Sequence, residues 1–455
     1  MPNTRAEPHA AAAVAAAAVP LPPIDHAAES PFIGAFANAT AVLADILAGH
    51  RMVLLGESTH GTAEFYHARA ALTAHLVARH GFRIIAVEAD WPDAAAVDRH
   101  VRGRPPQPAE SPGAAFTRFP VWMWRNLEVA RFIRWLRAHN ATQASARRAG
   151  FFGLDIYSLR ASMAAVLAYL EGVDPQAARA ARERYACLEP WGRDPARYGR
   201  AVLHGTHADC EDAVVEQLQA LLDKRLAYAR AGHEDFLDAA QNARLVASAE
   251  RYYRVMYHGS DDSWNLRDTH MFETLAQLLQ AHGPQSRAVV WAHNSHIGDA
   301  SKTEMGASQG QLNIGQLCRE SFGDAAALIG FSTYDGTVAA ATSWDGPMEI
   351  KQVRPARADS YEHLFHAAGH AQCWVDLRGA GSGVLAEARQ LLMPARQERF
   401  IGVIYRPETE LQSHYARATL PQQFDVLLWF DRTRAVPALP AAPAPGAPET
   451  WPYGL

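Results

Sequence analysis

The sequence predicts an α/β fold: a central mixed, largely parallel β-sheet flanked by helices and interrupted by an all-helical insertion. Three observations carry that expectation. Between residues 35 and 158, short apolar runs of strand length alternate with longer segments of helical periodicity. From 159 to 283 the strand signal disappears and consecutive helical patterns follow one another. From 284 to 437 the strand-length runs return, so the insertion divides one α/β core.

The elements follow in order. Residues 1–34 hold the alanine-rich AAAAVAAAAVPLPP, preceded by Arg5 and interrupted by a glutamate and a histidine, which reads as a disordered extension and not as a signal peptide. Val53 to Leu55 is a strand, residues 62 to 80 a helix ended by Gly81, and Arg83 to Val87 the next strand, followed by a turn at Asp90-Trp91-Pro92 and a further helix. Trp122 to His139 has helical spacing, and Phe151 to Ile156 reads as a third strand. Within the insertion, Glu211 to Arg230 and Phe236 to Tyr257 are the clearest helices. The later strands are expected at Val289 to Ala292, Ala326 to Phe331, Thr337 to Ser343, Trp374 to Leu377, Phe400 to Tyr405 and Phe424 to Phe430. An Asp335-Gly336 turn would make the second and third of these an antiparallel hairpin. Residues 438–455 are Pro/Ala-rich and read as a disordered tail.

Composition excludes several function classes. With 49% hydrophobic residues among 455, the chain can bury a large core. Its net charge of -5 and lack of a Lys/Arg-rich run give no footprint for nucleic acid or an anionic membrane, and no apolar run reaches spanning length. Cys187, Cys210, Cys318 and Cys373 are dispersed, so neither a disulfide framework nor a thiolate metal site is expected. A reducing, cytoplasmic setting fits that usage.

The chemistry gathers at strand ends. MVLL runs into Gly56-Glu57-Ser-Thr-His60-Gly61, RIIAV into Glu88, and AVVWA into His293-Asn-Ser-His296. A parallel sheet presents its ligand crevice at the carboxyl ends of its strands, so these side chains are expected to converge. His60 and Glu57 could instead belong to an ordinary strand-to-helix turn, with Ser58 or Thr59 as cap. Glu88 needs a cationic partner once buried, which is either a catalytic group or a salt bridge fixing the next turn. Asp155 could accept from a catalytic histidine or cap a helix, and Arg267, placed at the start of a helix, could stabilise an oxyanion or be an exposed charge. His60, Glu88, His293 and His296 could hold zinc, or could work without metal, with a neutral imidazole taking a proton from water. A non-catalytic cleft for a metal or haem is a further reading of the same histidines. Gly306-Ala-Ser308-Gln-Gly310 matches the nucleophile-elbow pattern, but no apolar strand precedes it, so Ser308 is not expected to be a nucleophile.

Together these motifs resemble the ordered series of the erythromycin esterase family. The resemblance rests on Gly-Glu-Ser-Thr-His60-Gly, Val87-Glu88-Ala-Asp90-Trp-Pro, Gly153-Leu-Asp155-Ile-Tyr, Arg267-Asp268 with Met271, and Trp291-Ala-His293-Asn-Ser-His296-Ile. It continues through Gly330-Phe-Ser-Thr-Tyr-Asp335-Gly-Thr, Ile404-Tyr-Arg406-Pro-Glu408, Gln423-Phe-Asp425 and Phe430-Asp431. The resemblance implies a hydrolase without metal or cofactor, acting on a small-molecule ester or a macrolide lactone. By motif, His60 would be the general base, Glu88 and His293 its neighbours in the catalytic centre, and Arg267 a charge stabiliser, with Glu57, Asp155 and His296 in support.

Overall fold

The computed structural model describes residues 6–27, 34–105, 115–191, 194–257, 259–379 and 381–440. The expectation of disorder at residues 1–5, 28–33 and 441–455 lies outside them. Within them it is corrected at the N-terminus: α1 (Ala6–Ala17) is a helix and β1 (Val19–Pro20) a short strand. Alanine has the highest intrinsic helix propensity, and its small side chains let α1 lie close to its neighbours, burying Ala10, Ala13, Val14 and Ala17.

After α2 (Ala35–Leu47), the first βαβ unit is β2 (Met52–Leu55), α3 (Ala63–His80) and β3 (Ile84–Asp90). Next come α4 (Trp91–Arg102), α5 (Val121–Trp124), α6 (Leu127–Ala141) and β4 (Gly150–Asp155). The expected single helix from Trp122 is broken because the Asn126 side chain accepts from the Val129 N–H at 2.9 Å and starts α6 afresh.

Residues 159–281 are helical. The succession is α7 (Leu159–Val173), α8 (Pro175–Tyr185), α9 (Pro195–Leu203), α10 (Glu211–Asp223), α11 (Arg225–Ala231), α12 (His233–Val255) and α13 (Ser260–Ala281). Cys187 and Cys210 form a disulfide within this block, with Cα atoms 6.1 Å apart, which corrects the expectation of unpaired thiols. Twenty-three residues separate them in sequence, but the fold of the helices brings them together.

The sheet resumes with β5 (Ala288–Trp291), followed by α14 (Asn294–Ile297), α15 (Glu304–Gln309), α16 (Ile314–Phe322), β6 (Ala326–Ala340), β7 (Glu349–Val353), α17 (Tyr361–Ala367) and β8 (Gln372–Asp376). Then come α18 (Val384–Leu392), β9 (Arg396–Arg399), β10 (Tyr415–Ala418) and β11 (Val426–Thr433). β9 and β10 form a separate antiparallel ribbon. The other strands run in the order β1-β8-β11-β6-β2-β5-β3-β4, with β7 also paired to β6. Pairings from β11 through to β4 are parallel, whereas β8 on β11, β1 on β8 and β7 on β6 are antiparallel.

Two strand expectations are corrected. Asp335-Gly336 is not a hairpin turn, because β6 runs straight through it and pairs there with Arg432 and Thr433 of β11. Gly336 is present because the strands approach closely: a Cβ there would lie 2.0 Å from the Thr433 carbonyl oxygen. Residues 400–405 are no regular strand either: their backbone makes isolated bridges, Ile401 to Thr59 and Ile404 to Ala341, while Ile401 and Tyr405 pack against Val338, Ala340 and Val353 of the sheet.

Period-2 alternation divides the core. Leu54, Ala86 and Val290 face the layer of α7, α12 and α13, while Val53, Ile85 and Val289 face that of α2, α3 and α6. Strands covered on both faces read as continuous apolar runs, as MVLL, IIAV and AVVW do.

Candidate active site

The first βαβ unit leaves room for one strand between β2 and β3, and β5 fills it on returning from the helical insertion. In register, Leu55 and Val87 both stand beside Trp291, and Val87 also faces Gly153 of β4. The next residues therefore leave four adjacent strands at one edge. His60, Glu88, Asp155 and His293 are brought together there, all buried, and α13 delivers Arg267 to the same place. Arg267 lies well inside α13 and not at a helix start, so it is neither a capping nor an exposed charge.

The His60 Nδ1 lies 3.0 Å from Glu57 Oε1, and the other oxygen of Glu57 accepts from Arg69 Nη2 at 2.8 Å. A carboxylate only accepts, so Nδ1 carries a proton, and in the neutral form of the ring Nε2 is the atom with the lone pair. Glu57, not Glu88, is thus the partner that orients His60. The loop is pinned further by the Ser58 carbonyl, which accepts from Ile401 N–H at 2.8 Å.

Glu88 and Asp155 together hold Arg267. Its Nε and Nη2 donate to the two oxygens of Asp155 at 2.9 and 2.8 Å, and Nη2 donates to Glu88 Oε1 at 2.8 Å. Asp155 therefore neither accepts from a histidine nor caps a helix; besides Arg267 it accepts from the Ile156 N–H at 2.8 Å. The remaining oxygen of Glu88 accepts from the His293 N–H at 2.8 Å, which ties β3 to the end of β5. Burial would raise the Glu88 carboxyl, but His296, His60 and Arg267 hold it well below the usual range.

The two histidines after β5 have opposite characters. His296 lies between carboxylates, with Nδ1 at 2.9 Å from Asp268 and Nε2 at 3.3 Å from Glu88, and its ring stacks on Trp264 at 4.6 Å. Burial opposes its charge, yet Asp268 and Glu88 outweigh burial and raise it to about 9. The two carboxylates thus favour the protonated ring at neutral pH, against the opposing Arg267, whose Nη1 lies 3.1 Å from His296 Nε2. Burial and the neighbouring His60, 4.7 Å between ring centroids, instead push His293 well below its usual value. It is neutral, and its Nδ1 lies 2.8 Å from the Ser295 hydroxyl and accepts from the Ser295 N–H at 3.3 Å, which favours the proton on Nε2; the Ser58 backbone also interacts with this ring. Asp268 and Arg69 were not singled out by sequence; Asp268 stood next to Arg267 in a quoted motif, whereas Arg69 had no local signal.

His60, Glu88, Asp155, Arg267, His293 and His296 line one cavity of about 700 Å³, within the range of small-molecule sites. Its other wall is aromatic and includes Phe116, Phe119, Trp124 and Trp344. The zinc reading meets a difficulty of geometry: both Glu88 oxygens and both His296 nitrogens are already engaged. Among the described residues, His60, Glu88, His293 and His296 do not form a group whose donor atoms converge as metal ligands. Ser308 is exposed on α15 and donates to the Glu304 carbonyl at 2.6 Å, away from any strand-to-helix elbow.

The profile of the erythromycin esterase family matches residues 77–433, most of the chain. This chain belongs to the erythromycin esterase family. His60 and Glu57 precede the matched region and stand on the geometry above. A putative hydrolase of Bacillus subtilis, YbfO, is 21% identical over 412 residues, 86% of this chain and 85% of that one. A protein from Bacillus cereus has the same fold, with a TM-score of 0.77, 20% identity and coverage of 95% of this chain and 99% of the other. A variant of the erythromycin esterase EreC in its open conformation superposes with a TM-score of 0.63 at 18% identity, covering 88% of this chain and 94% of EreC. Membership supports an esterase-type hydrolase acting on small molecules. Among the described residues no helix is long and apolar enough to cross a membrane.

Proposed function

We propose that the protein hydrolyses carboxylic esters or lactones by direct attack of water, without a metal or other cofactor, and that macrolide lactones are its leading substrate class. The observation that carries this reading is the pair of adjacent buried imidazoles, His60 and His293, 4.7 Å between ring centroids, with Glu57 on the Nδ1 of His60 and Ser295 on the Nδ1 of His293. His60 presents an unprotonated Nε2 to the cavity, and His293 beside it presents an N–H. His60 takes a proton from water as the oxygen attacks the carbonyl carbon, and Glu57, anchored by Arg69, stabilises the imidazolium that forms. His293 Nε2–H donates to the oxygen on which negative charge develops; collapse of the tetrahedral adduct then breaks the acyl C–O bond, and the His60 imidazolium returns its proton to the departing alkoxide, leaving the carboxylic acid and the alcohol.

Electrostatics favours this division. Glu57, Glu88, Asp155 and Asp268 stand around Arg69, Arg267 and His296, so carboxylates surround the pair of imidazoles and favour a positive charge developing on His60. Arg267 supplies positive potential at the cavity wall while its own carboxylates hold it in place. The aromatic wall suits the apolar body of a large lactone. The expectation of a reducing, cytoplasmic setting rests on unpaired cysteines, and the Cys187–Cys210 disulfide removes that ground.

The test is incubation with a panel of macrolides and simple esters, followed by mass spectrometry for the gain of one water. Replacing His60 by alanine should lower kcat about 10²–10⁴-fold on any substrate turned over, the usual worth of a general base. Full activity in that variant refutes the mechanism, and turnover of small esters alone refutes the macrolide assignment.

A further inference from the structure

A second cluster of donors lies far from the cleft. Asp45 is in the last turn of α2, and His75 and His80 are near the end of α3. His75 Nε2 is 2.9 Å and His80 Nε2 2.7 Å from the same oxygen, Oδ1 of Asp45. Five residues apart on a helix, the two histidines project roughly 140° from each other, so they straddle the carboxylate from the neighbouring helix instead of sharing one face. Their ring centroids are nonetheless 5.4 Å apart, and one donor atom from each of the three residues falls within 4.8 Å of the others. Among the described residues this is the one such convergence of three His, Cys, Asp or Glu side chains.

We propose that Asp45, His75 and His80 form a binding site for a divalent transition-metal ion of the zinc type. Zinc bonds of about 2.0–2.2 Å at tetrahedral angles set ligand atoms roughly 3.4 Å apart, so the carboxylate need retreat only about half an ångström. Asp45 is 60% exposed, and each histidine 25%, which leaves room for that movement and for water in a fourth position. Two imidazoles with a single carboxylate suit zinc, nickel or copper, whereas magnesium and calcium take oxygen ligands. As a proton-linked ion pair so exposed, the cluster contributes little to stability, and a bound ion would instead clamp α2 to α3.

Its position separates it from hydrolysis. Asp45 precedes β2 and His80 precedes β3, so the cluster lies at the amino ends of the strands whose carboxyl ends form the cleft. α3 alone spans roughly 25 Å between the two ends at 1.5 Å per residue. Stoichiometric zinc in the purified protein would therefore carry no implication of zinc chemistry at His60.

Calorimetric titration of the chelator-treated, full-length protein with zinc chloride tests the site. The expected result is saturation at one ion per chain and a higher Tm with zinc, both absent from Asp45→Asn and from the double variant His75→Ala/His80→Ala. These variants should match the wild type in zinc-free Tm, circular dichroism and esterase turnover. Absence of saturable binding by the wild type overturns the proposal, as does binding that survives in the double variant. Zinc lost on His293→Asn but kept in the double variant would place the ion in the cleft and equally overturn it.

Discussion

Four carboxylates in and behind the cleft each hold a named cation: Glu57 holds Arg69, Asp155 and Glu88 hold Arg267, and Asp268 holds His296. The pairing makes His296 the group whose titration bears most directly on stability. Its folded value of about 9 exceeds the ordinary 6.5, so the folded protein binds this proton more tightly than the unfolded chain does. The stabilisation is complete below about 6.5 and is lost as pH rises through about 9. Urea unfolding across that window should show a decline on the order of 3 kcal/mol, at 1.36 kcal/mol per unit. Asp268→Asn removes the carboxylate that sustains the proton and should flatten the decline. A wild-type profile already flat in that window would refute the buried ion pair. The residue scale also shows what sequence could not reach. His60, Glu88 and His293 were legible because each follows an apolar run, but which carboxylate orients His60 depends on a contact from α3, twelve residues beyond Glu57.

At the scale of elements, the strand ends deliver the site only because loops pack tightly behind them. Gly61 follows the proposed base, and a Cβ placed on it would lie 2.0 Å from the Ala339 carbonyl oxygen, a backbone atom of β6 that cannot step aside. Its own carbonyl accepts from the N–H groups of Ala339 and Val436 at 3.1 and 2.9 Å, so the loop has little freedom to retreat. Gly61→Ala should therefore destabilise the fold by about 1–3 kcal/mol and, by displacing His60, reduce kcat more than KM. Thermal melting and steady-state kinetics would read both, and a variant with unchanged Tm and kcat would show that the loop is not so confined. The β2-α3-β3 unit was legible because its apolar runs are buried on both faces. β6 was not, since Asp335-Gly336 is locally a good turn and only the distant strand β11 draws it straight. β7 was missed for the complementary reason: Glu349–Val353 carries polar, partly exposed residues at a sheet edge and has little apolar signal.

Across the whole molecule, the sheet order separates supports from chemistry. β1 lies at one end of the nine strands, with β8, β11 and β6 between it and β2, while the catalytic strand ends belong to β2, β5, β3 and β4. The alanine-rich segment looked disordered because alanine alone offers little apolar surface per residue. Its burial depends on a surface assembled some 350 residues later, from α17, α18 and β8. Val14 and the buried alanines remove methyl surface from water on docking, at about 0.8 kcal/mol per buried carbon before the cost of ordering the helix. The Leu21 N–H donates to the Gln372 carbonyl at 2.9 Å, which extends the edge pairing of β1 on β8. Deleting residues 1–20 should thus lower Tm and expose the β8 edge, making the protein prone to association. The catalytic groups do not touch this layer, so kcat/KM per folded molecule should stay within about twofold of the full-length value, as for independent sites. Melting, light scattering and active-site-normalised kinetics on the truncated protein decide it. An unchanged Tm would mean that α1 does not dock, and a large loss of kcat/KM at temperatures where the core remains folded would mean that this edge reaches the cleft.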